Sequence, residues 1–361
     1  MKIIPAKPLF PEEDIRDITT EISDVLRNGR LTMGNKCKEF EDKFGKYTGT
    51  KYAVSTNSGA AALEMIIRAL GIQGSEILMP TNTSADTALA ITHSNNIPLF
   101  LDIDETACLN PNQINKSVTA KTKALIIVHL GGIMHHKIEE IVDICKKNNI
   151  YLIEDAAHAH GSAYKNIKAG NWGVAAAFSF YPTKVITSCE GGMITTNSKE
   201  LYGKAMQLRD RGKPEFNSNI SICMGSSWRM SEVHAIIGLH QLKRLNSFIK
   251  KRREIATKYD NILTKLKWIK PLKIHKEVLC NYYKYIALTE KDVKKSLRKD
   301  NIFLSGEVYK IPCHRHEIFK KFANSKYPVA DKFCSSHLCL PIFNGMEDDE
   351  VDYVIKALEK I

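Results

Sequence analysis

Residues 151–197 read YLIEDAAHAHGSAYKNIKAGNWGVAAAFSFYPTKVITSCEGGMITTN. The opening apolar run, Tyr151 to Ile153, has the length and composition of a buried strand and ends in two acids, Glu154 and Asp155. An acid at the carboxyl end of such a strand stands where open α/β sheets receive their ligands. A second apolar run, Ala175 to Phe180, leads into SFYPTK, where Lys184 follows Pro182 and precedes the glycine pair Gly191 and Gly192. Lys184 lies 29 residues after Asp155.

One chemistry needs a strand-end carboxylate and a lone lysine facing a common pocket. In pyridoxal 5'-phosphate (PLP) enzymes the lysine binds the cofactor as a Schiff base, while the acid pairs with the pyridinium nitrogen and keeps the ring an electron sink. The blocks DAAHAHGS, AFSFYPTK and EGGMITTN closely resemble the DegT/DnrJ/EryC1/StrS group, PLP-dependent aminotransferases that act on nucleotide-linked keto-sugars. The resemblance extends over nearly the whole chain. It implies that Lys184 and Asp155 are the catalytic pair, that His158 lies by the cofactor ring and that Ser179 holds its phosphate. Taken singly, Asp155 reads as a helix cap and Lys184 as one solvated charge among 52 lysines and arginines. Order and spacing together turn that reading around. His158 and His160 flank an alanine, and an ordinary hydrogen-bonded histidine is the competing reading for both.

Upstream, Tyr52–Val54 reads as a strand that runs through Asn57-Ser58-Gly59 into a helix starting near Ala60. The free N–H groups of that first turn and the positive end of the helix dipole form an anion site without a basic side chain. By the resemblance, Ser58, Gly59 and Ala60 receive the cofactor phosphate there. The family pattern has threonine where this chain has Ala60, which removes one hydroxyl but no amide. The strand Glu76–Met79 leads to the position where the family offers an aromatic residue to stack on the ring, and this chain has Ser84. Either another aromatic fills that place or His158 and Asp155 hold the ring. In MGSSWRMSEVH the family's asparagine, which crosses to the neighbouring subunit's phosphate, is replaced by Ser227, with Arg229 two residues on as a source of charge. The resemblance thus implies a homodimer with shared active sites.

The strands Ile97–Asp102, Ala124–Val128 and Tyr151–Ile153, with a helix over Ile138–Asn148, alternate as in an α/β sheet covered on both faces. The resemblance implies the PLP-dependent transferase fold of type I, similar to aspartate aminotransferase. A large mixed-sheet domain, residues 1–246 with an N-terminal arm, would be followed by a small α+β domain, residues 247–361. The spacing predicts helices over about Glu12–Arg27 and Glu200–Arg211, an exposed polar loop over Lys213–Ser221, and a long helix up to Leu263. In the small domain it predicts strands at Tyr282–Leu288 and about Gly306–Ile311, a helix near Lys291–Lys299 and a last helix after Asp348. Two weaker substrate candidates are Thr32, in the loop Gly29–Gly34 that borders the sugar site in the family, and His314 of VYKIPCHRH. His314 and His316 would share one face of a strand. A plain turn and a surface histidine pair are the competing readings.

Composition bounds the function. The chain has 361 residues, 43% of them hydrophobic, and a formal charge of +12. Its lysines spread along amphipathic helices and do not cluster with glycine and aromatic residues, which argues against nucleic acid as partner. The basic field suits an anionic substrate such as a nucleotide-sugar diphosphate. No apolar run approaches a membrane span, and the nine scattered cysteines read as reduced thiols, so a cytoplasmic protein is expected. His129, His135 and His136 lack an acid or cysteine at ligand spacing, Cys334 and Cys339 lack paired histidines, and no metal site is expected. The absence of a GxGxxG fingerprint argues against a nicotinamide enzyme.

The expected reaction is a ping-pong transamination, with glutamate as donor and a nucleotide-linked keto-6-deoxyhexose as acceptor at carbon 3 or 4. A dehydratase branch of the same fold carries histidine in place of the lysine, so Lys184 speaks against it. A non-catalytic binder of PLP and sugar nucleotides is the other alternative, suggested by Ala60, Ser84 and Ser227.

Overall fold

A computed structural model describes residues 1–361. Two helices, α1 (Glu12–Asn28) and α2 (Asn35–Thr48), precede the first strand, β1 (Tyr52–Thr56). Then α3 (Gly59–Ala69), β2 (Glu76–Pro80), α4 (Ala85–His93) and β3 (Ile97–Leu101) alternate. The short α5 (Ile114–Ser117) leads to β4 (Thr122–Val128), α6 (Ile138–Lys147) and β5 (Tyr151–Asp155). A small hairpin, β6 (Ala163–Tyr164) and β7 (Ile167–Lys168), separates β5 from β8 (Ala175–Ser179) and β9 (Gly192–Thr196). These elements build one seven-stranded sheet in the order β1-β9-β8-β5-β4-β2-β3, in which β9 alone runs against its neighbours. The mixed sheet with helices agrees with the type I expectation. Its parallel strands are nearly uniformly buried, as strands covered on both faces must be.

The two acids at the end of β5 separate because successive side chains leave a strand on opposite faces. Glu154 turns into the protein, where it is fully buried. One oxygen accepts the amides of Trp172 and Gly173 at 2.8 and 2.9 Å, and the other accepts the Gly170 amide at 2.9 Å and meets His129 Nε2 at 3.0 Å. This carboxylate therefore ties the turn before β8 to β4 and β5. Asp155 is left to face the other way.

After α7 (Lys199–Arg209), α8 (Glu232–Leu263) runs 32 residues without a break. Leu242 and Leu245 on it pack into a core of 75 buried residues, whereas Ile255, Tyr259 and Leu263 pack into a second core of 20. The N-terminal Ile3 joins that second core and pairs with Asn301 and Phe303 through backbone bonds of 3.0 Å. Phe248 and Ile249 still pack in the first core, so we propose the boundary between the two domains within this helix after Ile249, a few residues beyond the expected position 246.

The C-terminal region holds β10 (Lys270–Pro271), β11 (Val278–Leu279), β12 (Tyr285–Leu288), α9 (Lys294–Lys299), α10 (Pro328–Ser336), β13 (His337–Leu340) and α11 (Asp348–Glu359). Strands β10, β12 and β13 form a three-stranded sheet. The strand expected at Gly306–Ile311 does not form. Side chains take its backbone amides instead: Val308 N donates to His337 Nε2 at 3.1 Å and Tyr309 N to Asn82 Oδ1 at 3.2 Å. The third strand is β13, which the sequence reading missed. His314 and His316 accordingly do not share a strand face, since Cys313–Arg315 is one turn of 3-10 helix. No helix is long and apolar enough to cross a membrane.

Replacing Glu154 with alanine leaves three amides and an imidazole without their acceptor at once. At about 1–3 kcal/mol for each buried polar group left unpaired, softened by water entry, Glu154→Ala should cost about 3–5 kcal/mol in urea unfolding. A loss below about 1 kcal/mol would show that this knot does not hold the sheet.

Candidate active site

The carboxyl ends of β1, β2, β5 and β8 open on one cleft. Gly59, Ala60, Ser84, Asp155, His158, Ser179, Lys184 and Tyr309 are among its lining residues. The sequence-predicted pair Asp155 and Lys184 thus meets Gly59, Ala60, His158 and Ser179 in one place, while Ser58, Ser227 and Arg229 are not among the lining residues.

Each is held by a separate device. Asp155 is buried; its Oδ2 accepts the Thr87 hydroxyl at 2.8 Å and its Oδ1 the Ala157 amide at 3.2 Å. Burial pushes this carboxyl up, against the Thr87 and Ala157 hydrogen bonds and the charge of Lys184. Lys184 donates its backbone amide to Tyr181 O at 2.9 Å, in the turn shaped by Pro182. The carbonyl of the next residue, Val185, accepts Asn344 Nδ2 at 2.8 Å, and Asn344 Oδ1 accepts Arg252 Nε at 2.7 Å. A buried guanidinium on α8 therefore braces the lysine turn through one amide side chain. Burial lowers Lys184 to about 8, with Asp155 opposing and Lys284 adding to the shift.

His158 receives the Gly131 amide on Nδ1 at 3.3 Å. The proton of the neutral ring then sits on Nε2, which faces the Tyr309 hydroxyl at 3.4 Å. Burial, then the charges of Lys184 and Lys284, push His158 well below the usual imidazole range, so it acts as a neutral ring. At the start of α3, Ser58 Oγ caps the helix by accepting the Ala61 amide at 3.1 Å. The Ser58 side chain is thus occupied locally, and Gly59 and Ala60 face the cleft. A Cβ at Gly59 would come within 2.8 Å of Ser179 Cβ, so only glycine lets the helix start approach β8 this closely.

These residues fit PLP. The helix start with Ser179 suits a phosphate. Asp155 has two hydrogen bonds and no cationic partner, which leaves it free for a ring N–H. Lys184 is half-buried and lines the same cleft. Sequence reasoning missed two aromatic residues here. Tyr309 lines the cleft beside Ser84, where the resemblance had left an aromatic gap. Tyr283 packs its ring 4.3 Å from that of His158, meets Thr183 Oγ1 at 3.0 Å and receives Lys184 Nζ over its face at 4.9 Å. The run NYYKY carried that signal but reads first as a strand.

Other predicted residues stand outside the cleft of this chain. Thr32 Oγ1 donates to Met230 O at 3.2 Å. His314 meets Thr81 Oγ1 at 2.7 Å and Asp331 at 3.2 Å. Arg229 pairs with Asp210 and donates to Ser227 Oγ at 3.2 Å. Ser227 lies beside the α3 entry, where its carbonyl accepts Asn57 Nδ2 at 3.3 Å.

Compared with known proteins, the sequence pattern of the DegT/DnrJ/EryC1/StrS aminotransferase family matches residues 12–359. A GDP-perosamine synthase of Escherichia coli O157:H7 is 32% identical across 91% of this chain and 91% of its own length. Among solved structures, Helicobacter pylori PseC, an aminotransferase involved in the biosynthesis of pseudoaminic acid, has a TM-score of 0.92 at 26% identity and covers 100% of this chain and 99% of its own. NtdA of Bacillus subtilis with bound cofactor PMP has a TM-score of 0.91 at 25% identity, over 100% of this chain and 85% of that one.

His160 does not face the cleft; it packs among Phe44, Phe178 and Phe180 at ring distances of 6.4, 5.5 and 5.5 Å. Burial lowers it to about 3, so the folded protein holds it neutral while the unfolded chain takes up a proton below about pH 6.5. Its effect on stability is absent above pH 6.5 and grows as pH falls through 6.5 toward 3. His135, pushed down to about 4, adds in the same direction. At about 1.4 kcal/mol per pH unit, His160→Leu should remove about 2 kcal/mol from the stability difference between pH 7.5 and pH 4.5 in denaturant unfolding. An unchanged difference would mean the ring is already protonated in the fold.

Proposed function

The chain belongs to the DegT/DnrJ/EryC1/StrS aminotransferase family, and we propose that it moves an amino group from glutamate to a nucleotide-linked keto-6-deoxyhexose at carbon 3 or 4. Glutamate becomes 2-oxoglutarate as the sugar carbonyl becomes a primary amine, an exchange that balances without an external oxidant. The observation that carries this reading is the joining of Lys184, Asp155 and the α3 helix start in one cleft. The perosamine synthase and PseC support amino-sugar synthesis as the setting.

The cofactor is PLP; when bound, it supplies an electrophilic carbon and an electron-withdrawing ring that carries the amine between the two substrates. The chain supplies the rest. Lys184, with its amine held near neutrality at about 8, binds the cofactor and moves the proton at the reacting carbon. Asp155 holds the proton of the ring nitrogen. The amides of Gly59 and Ala60 with the Ser179 hydroxyl receive the phosphate, and neutral His158 lies against the ring without competing for its charge. Tyr309 takes the side of the cleft that Ser84 leaves open.

A homodimer with shared sites belongs to this reading. Ile220 and Met224, in the exposed segment just before Ser227, are 68% and 86% exposed, with Phe216 and Ile222 beside them. A second copy covering this apolar surface would bring Ser227 and Arg229 to its neighbour's phosphate, and Thr32 and His314 to the rim where a sugar nucleotide enters. Nine free cysteines and a basic surface suit a cytoplasmic enzyme with an anionic substrate.

The test mixes the PLP-loaded protein with glutamate and then with a panel of nucleotide-linked keto-sugars, reading 2-oxoglutarate and the amino-sugar product by mass spectrometry. Lys184→Ala should bind PLP without covalent attachment and lose turnover by about a thousandfold or more. Near-normal turnover of that variant would overturn the assignment of Lys184. Failure of every amino donor to change the wild-type spectrum would overturn the transamination.

A further inference from the structure

Lys284 is a buried lysine that the reaction outlined above does not use. It precedes β12, its residue is 8% exposed, and its backbone amide donates to Gly131 O at 3.2 Å. The carboxylate in its surroundings, Glu307, is already paired with Lys294; its other neighbours are the neutral Cys339 thiol and the Arg252 guanidinium, and burial pushes Lys284 itself below the usual lysine range. Its Nζ lies 5.2 Å from the centre of the Tyr283 ring, the ring that also receives Lys184 Nζ at 4.9 Å. The two ammonium groups are therefore within about 10 Å of one another, inside one screening length and largely out of water. Burying an uncompensated cation beside a second lysine costs stability, so a local purpose is called for.

We propose that Lys284 is a positioning charge for the reaction outlined above: its cation, within about 10 Å of Lys184 Nζ, enlarges the share of the Lys184 amine that is in the proton-accepting form. This inference rests on the reading of Lys184 as the cofactor-binding lysine. A cation beside an amine disfavours the protonated state, whereas the Tyr283 face favours both ammonium groups, so the repulsion from Lys284 works against the ring as well as against the acids near Lys184. The groups that face Lys184 include Asp155 and Asp86, which hold its proton on, and Lys284, which drives it off. Tyr283 is fixed in this place from three sides. Its amide donates to Asn281 Oδ1 at 2.8 Å, its carbonyl accepts Arg252 Nη1 at 3.4 Å, and its hydroxyl meets Thr183 at 3.0 Å. The Lys284 charge is thus aimed by the same buried arginine that braces the lysine turn. At about 10 Å and an effective dielectric constant of about 20, one unit charge shifts another group by about one pH unit.

The experiment follows the rate at which the cofactor-free protein captures PLP, read by visible absorbance from pH 6 to 10. Capture needs the unprotonated Lys184 amine, so the midpoint of the pH-rate curve reports that amine without any turnover. The wild-type midpoint is expected near pH 8, where burial and its neighbours hold Lys184. Lys284→Met and Lys284→Gln should raise the midpoint by about one pH unit, which slows capture about tenfold at pH 7. Lys284→Arg, which keeps the charge, should restore the wild-type curve. A neutral variant that folds, by circular dichroism, and keeps the wild-type midpoint would overturn the inference while leaving Lys184 in place. Covalent capture by Lys184→Ala would overturn the reading of Lys184, and the inference with it.

Discussion

The carboxylate of Glu154 fixes the strand end on which the site depends. It sits in the interior with four donors, three of them amides from the turn before β8 and the fourth the ring of His129. A strand presents successive side chains to opposite faces, so anchoring Glu154 on one face commits Asp155 to the other. The turn that Glu154 gathers also feeds β8, which ends at Ser179 and leads to Lys184. One buried acid thereby sets the relative position of the Asp155 carboxylate, the Ser179 hydroxyl and Lys184.

The cleft built on that anchor is governed by burial more than by hydrogen bonds. Lys184 and His158 are both driven toward their neutral forms, and Asp155 is driven upward as well, because burial penalises the charged form of each. Such a set is poised for a ligand that carries its own charges: an anion at the helix start and a cationic ring nitrogen at the acid. Arg252 and Asn344 transmit the rigidity of α8 to this arrangement, and Tyr283 closes it from the C-terminal region. Segments before and after α8 therefore both contribute to the cleft.

Much of this was legible in the sequence, for reasons that differ from residue to residue. The strand ending in Glu154 and Asp155, the Ser58-Gly59 entry to α3 and the lysine after Pro182 are local signals with fixed spacing, and the structure joins them. Which of the two acids faced the cleft was carried by the blocks of family pattern, since the strand alone permits either. Tyr283, Tyr309, Arg252 and Lys284 were not found. They come from segments 68 or more residues beyond Lys184 in the chain, and no spacing rule links residues that meet only through tertiary packing. The strand expected at Gly306–Ile311 failed for a related reason: His337 and Asn82 take its amides, and neither partner is visible in a local pattern. Ser84 looked like a loss, but the aromatic face at that side of the cleft arrives from Tyr309, some 225 residues away in sequence.

The measurement that bears most directly on this account is a crystal structure of the protein grown with PLP. The account predicts a covalent bond between the cofactor and Lys184 Nζ, the ring nitrogen at hydrogen-bonding distance from Asp155, and the phosphate on the amides of Gly59 and Ala60 with the Ser179 hydroxyl. A cofactor attached to another lysine, or bound with its ring nitrogen away from Asp155, would contradict it.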